Sequence, residues 1–200
     1  MNKNVSVSIL LALLLIGGAW HYSFLKKSGN APLAADTALA ARFDRLSKSG
    51  NSSCSAAFTN SLDSMSDSAR LQGSCCSAMD MHRYSEQVMG LEKYKGIPEI
   101  PSDPYDVDAG LAKKLKGYYD LPLTSEEQQA YDYAMTHSDE KGPCCCKCWR
   151  WQVYGGLGKY LIKHYQFTGE QLTEVWNLSD GCGGGDEHHH SSPSAPLRAS

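Results

Sequence analysis

Cysteine is the residue type that gives this chain its most distinctive chemistry. Four of its eight cysteines fall within residues 144–148, directly after a Gly-Pro turn signal. A second pair, Cys75 and Cys76, lies far upstream, and Cys182 lies among glycines near the other end. Thiolate and thioether sulfurs select Cu(I), whereas tetrahedral sites made of thiolates suit zinc. The density of sulfur therefore predicts a site for a soft metal ion, with copper first and zinc as the alternative.

The run that begins with the first cysteine pair offers further ligands. Met79 supplies a thioether and His82 an imidazole within a few residues of the pair. A mixture of cysteine, methionine and histidine is a ligand set that copper accepts. We therefore expect this run to approach the cysteines of residues 144–148 and complete one site. The predicted metal ligands are Cys75, Cys76, Met79, His82, Cys144, Cys145, Cys146, Cys148 and Cys182.

The dense cysteine segment follows a proline that suits the first turn of a helix, where its missing N–H has no cost. On a helix that starts at Pro143, residues three and four apart share a face. Cys144, Cys145 and Cys148 would then cooperate, whereas Cys146 would point elsewhere and need a separate explanation.

Two other roles for the cysteines stay open at this point. Eight is an even number, and in an exported chain it is compatible with a disulfide framework. Neighbouring cysteines of one helix are awkward disulfide partners, although adjacent pairs could cross-link two helices. Cys145 and Cys148 also form a CxxC motif, which alone is weak evidence for a redox site. The alternatives to metal binding are thus a disulfide-stapled interaction module and a thiol–disulfide oxidoreductase, and we expect a metal-binding protein rather than an enzyme.

The segment Pro-Cys-Cys-Cys-Lys-Cys resembles the Pro-Cys-Tyr-Cys-Gly-Cys motif of the PCYCGC-motif bacterial lipoproteins. The three alternating cysteines of that motif correspond to Cys144, Cys146 and Cys148. The sequence departs from the motif where Cys145 replaces Tyr and Lys147 replaces Gly, and the lipoprotein cysteine is missing. The resemblance covers about six residues and implies an exported, cysteine-rich protein that binds metal.

Composition divides the chain into four parts. An apolar run flanked by lysines predicts a membrane anchor over residues 1–27, with a cleaved signal peptide as the alternative. Residues 28–74 are rich in Ser and Ala and predict a flexible tether with a short helix over residues 36–48. Cys54 lies in this segment, apart from the other thiols. The helical cysteine-rich domain is expected over residues 75–182, and residues 183–200 are expected to be a disordered tail that contains three histidines.

The spacing of apolar residues predicts an all-α fold, a small multi-helix domain of about five helices behind the anchor and the tether. Capping boxes at Thr124 and Thr168 mark the starts of two of these helices. The predicted helices are residues 80–95, 107–119, 124–137, 144–165 and 168–178.

The net charge and the N-terminal segment indicate where the protein acts and what it binds. The formal net charge is −3, which argues against nucleic-acid binding because that function requires a basic face. We expect a membrane-anchored bacterial protein whose folded domain lies outside the cytoplasm, in the periplasm or at the cell exterior. Its expected partners are the metal ion, the membrane through the N-terminal segment, and a protein that exchanges metal with it.

Overall fold

The computed structural model describes residues 31–183. The chain divides between Arg42 and Phe43 into two units, and the first contributes to the described part only the start of helix α1. The predicted anchor, residues 1–27, and most of the predicted tail lie outside the described residues. Among residues 31–183, no helix is both long enough and apolar enough to cross a membrane.

The described part of the second unit is mostly helical, which confirms the predicted helical class. It also contains a small antiparallel ribbon of two strands that was not predicted, β1 (Arg70–Gln72) and β2 (Asp106–Asp108), in which Leu71 pairs with Val107. Two single turns of 3₁₀ helix, Leu62–Ser64 and Glu92–Tyr94, follow α2 and α3. The helices are α1 (Ala31–Ser49), α2 (Ala56–Ser61), α3 (Met81–Leu91), α4 (Ala109–Lys116), α5 (Ser125–His137), α6 (Trp149–Tyr165) and α7 (Gly169–Ser179).

Helix α6 is the centre of the fold. It packs against α4, α5 and α7, and buried side chains surround it on most sides. Its glycines allow this packing: a Cβ at Gly156 would lie 2.0 Å from the carbonyl oxygen of Leu115 in α4. Since removal of apolar area from water is the main favourable contribution to folding, the apolar residues of α6 supply much of the core. The packing thereby fixes the position of the N-terminal end of α6, and the dense cysteine segment lies directly before it.

Side-chain caps define the starts of three helices, two of which carry the capping boxes predicted from the sequence. Asp80 accepts a hydrogen bond from the first turn of α3. Thr124 and Thr168 form complete capping boxes with Glu127 and Gln171 at the starts of α5 and α7. Such caps satisfy backbone N–H groups that have no partner inside the helix.

The segment predicted as a flexible tether, residues 28–74, contains more regular structure than predicted, although α1 covers the short helix expected over residues 36–48. It contains α1, α2 and β1. Its small polar residues bond the backbone: Ser55 caps α2, and the side chain of Asn51 bonds the backbones of Arg70 at 2.9 Å and Gln72 at 2.8 Å. Side-chain bonds of this kind order a segment whose composition alone suggests flexibility.

The helix predicted from residue 107 also starts later than expected. Val107 belongs to β2, where it is buried and pairs with Leu71. Asp108 then caps α4 through a 3.0 Å bond from the backbone N–H of Leu111, so the helix begins at Ala109.

Candidate metal centre

Eight thiols from four separate chain segments meet in one place, which we call the thiol cluster. Sulfur–sulfur distances between neighbours in the cluster run from 2.8 to 4.0 Å. None of these cysteines forms a disulfide in the structure. The members of the thiol cluster are Cys54, Cys75, Cys76, Cys144, Cys145, Cys146, Cys148 and Cys182.

The dense cysteine segment is a loop and not the first turn of a helix, which corrects the prediction. Helix α6 begins at Trp149 with Cys148 as its N-cap residue. Gly142 before the loop has φ 150°, and a Cβ there would lie 2.6 Å from the ring of Trp151. Cysteine is a weak helix former, so four cysteines do not enforce a helix against these contacts. Because the loop is irregular, Cys146 is no longer turned away from its neighbours.

Cys146 lies between two other segments of the cluster. Its sulfur is 3.4 Å from that of Cys76 and 3.0 Å from that of Cys54. The backbone carbonyl of Cys146 also accepts a 2.8 Å bond from the N–H of Cys148, which tightens the loop. The residue that the helical prediction set apart therefore has neighbours from two distant parts of the chain.

The loop of Cys182 is bonded directly to the loop of the first cysteine pair. Ser77 donates to the carbonyl oxygen of Cys182 through both its backbone N–H, at 2.9 Å, and its hydroxyl, at 2.8 Å. Gly183 has φ 119°, and a Cβ at this position would lie 2.3 Å from the hydroxyl oxygen of Ser77. Only glycine adopts this conformation at little cost, so the residue fixes how the two loops meet.

Cys54 joins the cluster, although the sequence placed it apart from the other thiols. Its sulfur lies 2.9 Å from that of Cys76. The segment before α2 is held against α6, because the indole N–H of Trp149 bonds the Ser52 hydroxyl at 3.2 Å and the ring of Phe58 lies 6.3 Å from the Trp149 ring. The one sequence signal was the presence of a lone cysteine four residues before an aromatic residue in an otherwise polar stretch.

The cluster extends from the protein interior to the surface. Three of its cysteines are buried, with Cys144 1% and Cys148 2% exposed. Cys76 and Cys145 are exposed, and their sulfurs lie 3.5 Å apart. The remaining cysteines are half-buried. Neighbouring sulfurs thus connect the exposed pair to the buried cysteines, so an ion that binds at the surface has further sulfur ligands toward the interior.

The thiols do not ionise independently. Hydrogen bonding with Cys144 and Cys182 lowers the pKa of Cys145 to about 5. Burial raises the pKa of Cys146 and of Cys54 well above the ordinary thiol range. A thiolate at one sulfur is therefore stabilised by protons kept on its neighbours. A metal ion would supply positive charge in place of those protons, since metal binding requires deprotonated ligands.

A buried arginine lies beneath the cluster and connects its segments. The Arg150 side chain is fully buried and stacks over the ring of Trp149. Its guanidinium donates to the carbonyl oxygens of Pro104 at 2.6 Å and Gly73 at 3.2 Å. A Cβ on Gly181 would lie only 2.2 Å from the guanidinium carbon, so this group rests on the backbone next to Cys182. Arg150 thus contacts the backbone close to Cys75 and Cys182, and it follows Cys148 by two residues in its own segment.

The charge of this arginine acts on the thiols. Burial tends to lower the pKa of Arg150, but ionisable groups around it, including Tyr154 and Cys75, raise it. Hydrogen bonding with Cys144 raises the pKa of Cys75. Hydrogen bonding with Cys148 and the charge of Arg150 lower it, and the resulting pKa of Cys75 is about 6. The guanidinium is a fixed positive charge that favours thiolate over thiol.

Several subsets of the cluster have the spacing of a metal site. In three groups of four cysteines the sulfurs lie within 4.8 Å of one another. A fourth group combines Cys144 and Cys182 with a carboxylate oxygen of Asp180. A tetrahedral ion with metal–sulfur bonds of about 2.3 Å needs sulfurs separated by about 3.8 Å. The clustered cysteines could therefore hold a metal ion.

The structure does not bring all nine predicted ligands together. The imidazole of His82 pairs with Glu86 at 3.2 Å on the outer face of α3, and its side chain is 85% exposed. Met79 is half-buried, and within residues 31–183 no hydrogen bond joins its thioether to a thiol. The seven predicted cysteines do converge. The residues that sequence reasoning missed are Cys54 and Asp180.

No protein-family model matches the chain, and no curated protein or solved structure shows significant similarity to it. The resemblance to the PCYCGC-motif lipoproteins therefore stays a prediction, and the function must be argued from the thiol cluster itself.

Proposed function

We propose that this domain binds soft metal ions through its thiol cluster and sequesters or delivers them, with Cu(I) as the first candidate and Zn(II) as the second. One observation carries the proposal: all eight cysteines of the chain converge on one place, with neighbouring sulfurs 2.8 to 4.0 Å apart. Sulfur ligands without imidazole favour soft ions. The proposed setting is outside the cytoplasm, on the basis of the apolar N-terminal run.

The pattern of sulfur contacts favours metal over a set of structural disulfides. A disulfide framework needs each sulfur to have one partner. Here the sulfur of Cys182 has neighbours at 4.0, 3.1 and 2.8 Å, which belong to Cys75, Cys144 and Cys145. Several close sulfur neighbours are expected around a metal ligand, because the ion binds several sulfurs at once. A cysteine in a disulfide has only one sulfur partner.

Thiol–disulfide exchange is the second candidate function, and it has its own support. Cys145 is exposed, and the pKa of its thiol is lowered to about 5. A low pKa and surface access are the properties of a reactive thiol. In that reaction the Cys145 thiolate would attack a disulfide of a substrate and release the first substrate thiolate. The sulfur of Cys76, 3.5 Å away, would then lose its proton, attack Cys145 in the mixed disulfide, form a disulfide with it and release the second substrate thiolate.

Metal analysis of the protein purified under reducing conditions tests the proposal. We expect stoichiometric copper or zinc and thiols that become titratable only after chelation. A double variant, Cys144→Ser with Cys148→Ser, should bind less metal than the wild type. The matched control, His82→Ala, removes a predicted ligand that belongs to none of the possible metal groups, so this variant should retain the metal. Metal-free protein with eight oxidised cysteines would refute the proposal, and turnover of a model disulfide by metal-free protein would favour the second candidate.

A further inference from the structure

The groups of cysteines that could hold a metal are not independent of one another, and Cys146 is common to all three groups of four. Any two of these groups share at least this one sulfur. The groups are Cys54, Cys75, Cys76 and Cys146; Cys75, Cys144, Cys146 and Cys148; and Cys76, Cys145, Cys146 and Cys182. These groups therefore cannot form separate mononuclear sites in which each ion has four ligands that no other ion shares.

Shared sulfurs can nevertheless serve all three groups at once. If three ions each take four sulfurs, Cys146 binds three ions, Cys75 and Cys76 bind two each, and the other five cysteines bind one each. Eight sulfurs then supply all twelve bonds. A thiolate sulfur has three lone pairs besides its bond to carbon, so three metal bonds are the most that Cys146 can form.

We propose that the thiol cluster binds a trinuclear metal–thiolate centre in which the sulfur of Cys146 bridges all three ions. This inference rests on the proposed function and specifies the form in which the metal is held. The cysteines that still carry a proton lose it to solvent as the ions bind, and no electron transfer is involved.

The surroundings of the bridging sulfur fit this role. Cys146 is half-buried, between the buried Cys144 and Cys148 of its own loop and the exposed Cys76. It can therefore contact both an inner ion and an outer ion. Eight thiolates with three divalent ions carry a net charge of minus two, and the buried guanidinium of Arg150 lies where it offsets part of that charge.

Two single substitutions separate a bridged cluster from independent sites. Cys146 belongs to all three groups of four, whereas Cys148 belongs to only one of them. The wild-type domain is loaded with Zn(II) under reducing conditions, its ions are counted by native mass spectrometry, and their retention is measured against a competing chelator. We expect three ions in the wild type, weaker retention of all three in Cys146→Ser, and weaker retention of one in Cys148→Ser.

The outcomes distinguish this inference from the proposed function. Loss of the same single ion in both variants, or a wild-type count of one or two, overturns the bridged cluster. Copper binding without zinc binding retains the proposed function and overturns the four-coordinate centre. If no metal binds at all, the proposed function itself fails.

A measurement on the unmodified protein covers the case in which Cys146→Ser does not fold. Cadmium NMR of the wild-type domain loaded with Cd(II) reports bridging directly, because two ions that share a sulfur show scalar coupling. We expect three signals, each coupled to the other two. Uncoupled signals overturn the proposal.

Discussion

Replacement of Arg150 by methionine should destabilise the metal-free domain by about 3 kcal/mol, because it strands two buried acceptors. The guanidinium donates to the carbonyl oxygens of Pro104 and Gly73. A buried acceptor left without a donor costs about 1–3 kcal/mol, so the two carbonyls lose about 2–6 kcal/mol between them. Part of that cost is offset, because methionine has no charge that must be removed from water when the domain folds. The expected fall in melting temperature is about 6–12 °C for a domain of this size.

The assay is guanidinium chloride unfolding of the metal-free protein, followed by tryptophan fluorescence. Arg150→Lys keeps the charge but lacks the planar fork, so it should recover only part of the loss. Arg45→Met is the matched control, since this exposed arginine pairs with Asp106 at 3.8 Å and its loss should cost less than about 1 kcal/mol. A loss below about 1 kcal/mol for Arg150→Met would refute the reasoning that Arg150 holds the segments together.

Three further predictions concern the cluster and its loops. In metal-free reduced protein, Cys76 and Cys145 should react with a maleimide before Cys144 and Cys148, because only the first two are exposed; peptide mass spectrometry reads the order, and equal labelling contradicts it. Gly183→Ala should lower the free energy of unfolding by about 1–3 kcal/mol, because φ 119° is strained for alanine; an unchanged denaturation midpoint contradicts it. Chelation of bound metal should lower stability by about 2.7 kcal/mol for each bound ion when free metal was present at 100 times its dissociation constant; calorimetry that finds the same melting temperature with and without metal contradicts it.

Helix caps were the part of the fold most accessible from sequence. Thr124 and Thr168 act through residues three positions away, so the pattern and the structure are linked by local geometry alone. The strands were inaccessible for the opposite reason. Each has three residues, too few to show alternation, and their pairing joins residues as far apart as Arg70 and Asp108.

The cysteine loop shows how a local pattern can predict the wrong element and still indicate the chemistry. Pro143 and the spacing of the cysteines favour a helix, whereas the packing of Trp151 on Gly142 bends the chain before α6. The prediction that the cysteines of this segment share one place did not depend on the helix. The addition of Cys54 was beyond sequence reasoning, because it follows from how Trp149 holds the preceding segment.

Because the cluster joins four chain segments, a bound metal also stabilises the fold by lowering the entropy of the unfolded chain. Cys54 and Cys146 are 92 residues apart, and Cys75 and Cys182 are 107 apart. Ions that join these positions close long loops, and a covalent cross-link across a loop of about 100 residues is worth about 4.7 kcal/mol in the loop-entropy model. The same separation sets an order during synthesis: Cys182 is the last ligand to leave the ribosome, so the full ligand set exists only once the domain is nearly complete. Full loading would then come only after helix α7 has been synthesised.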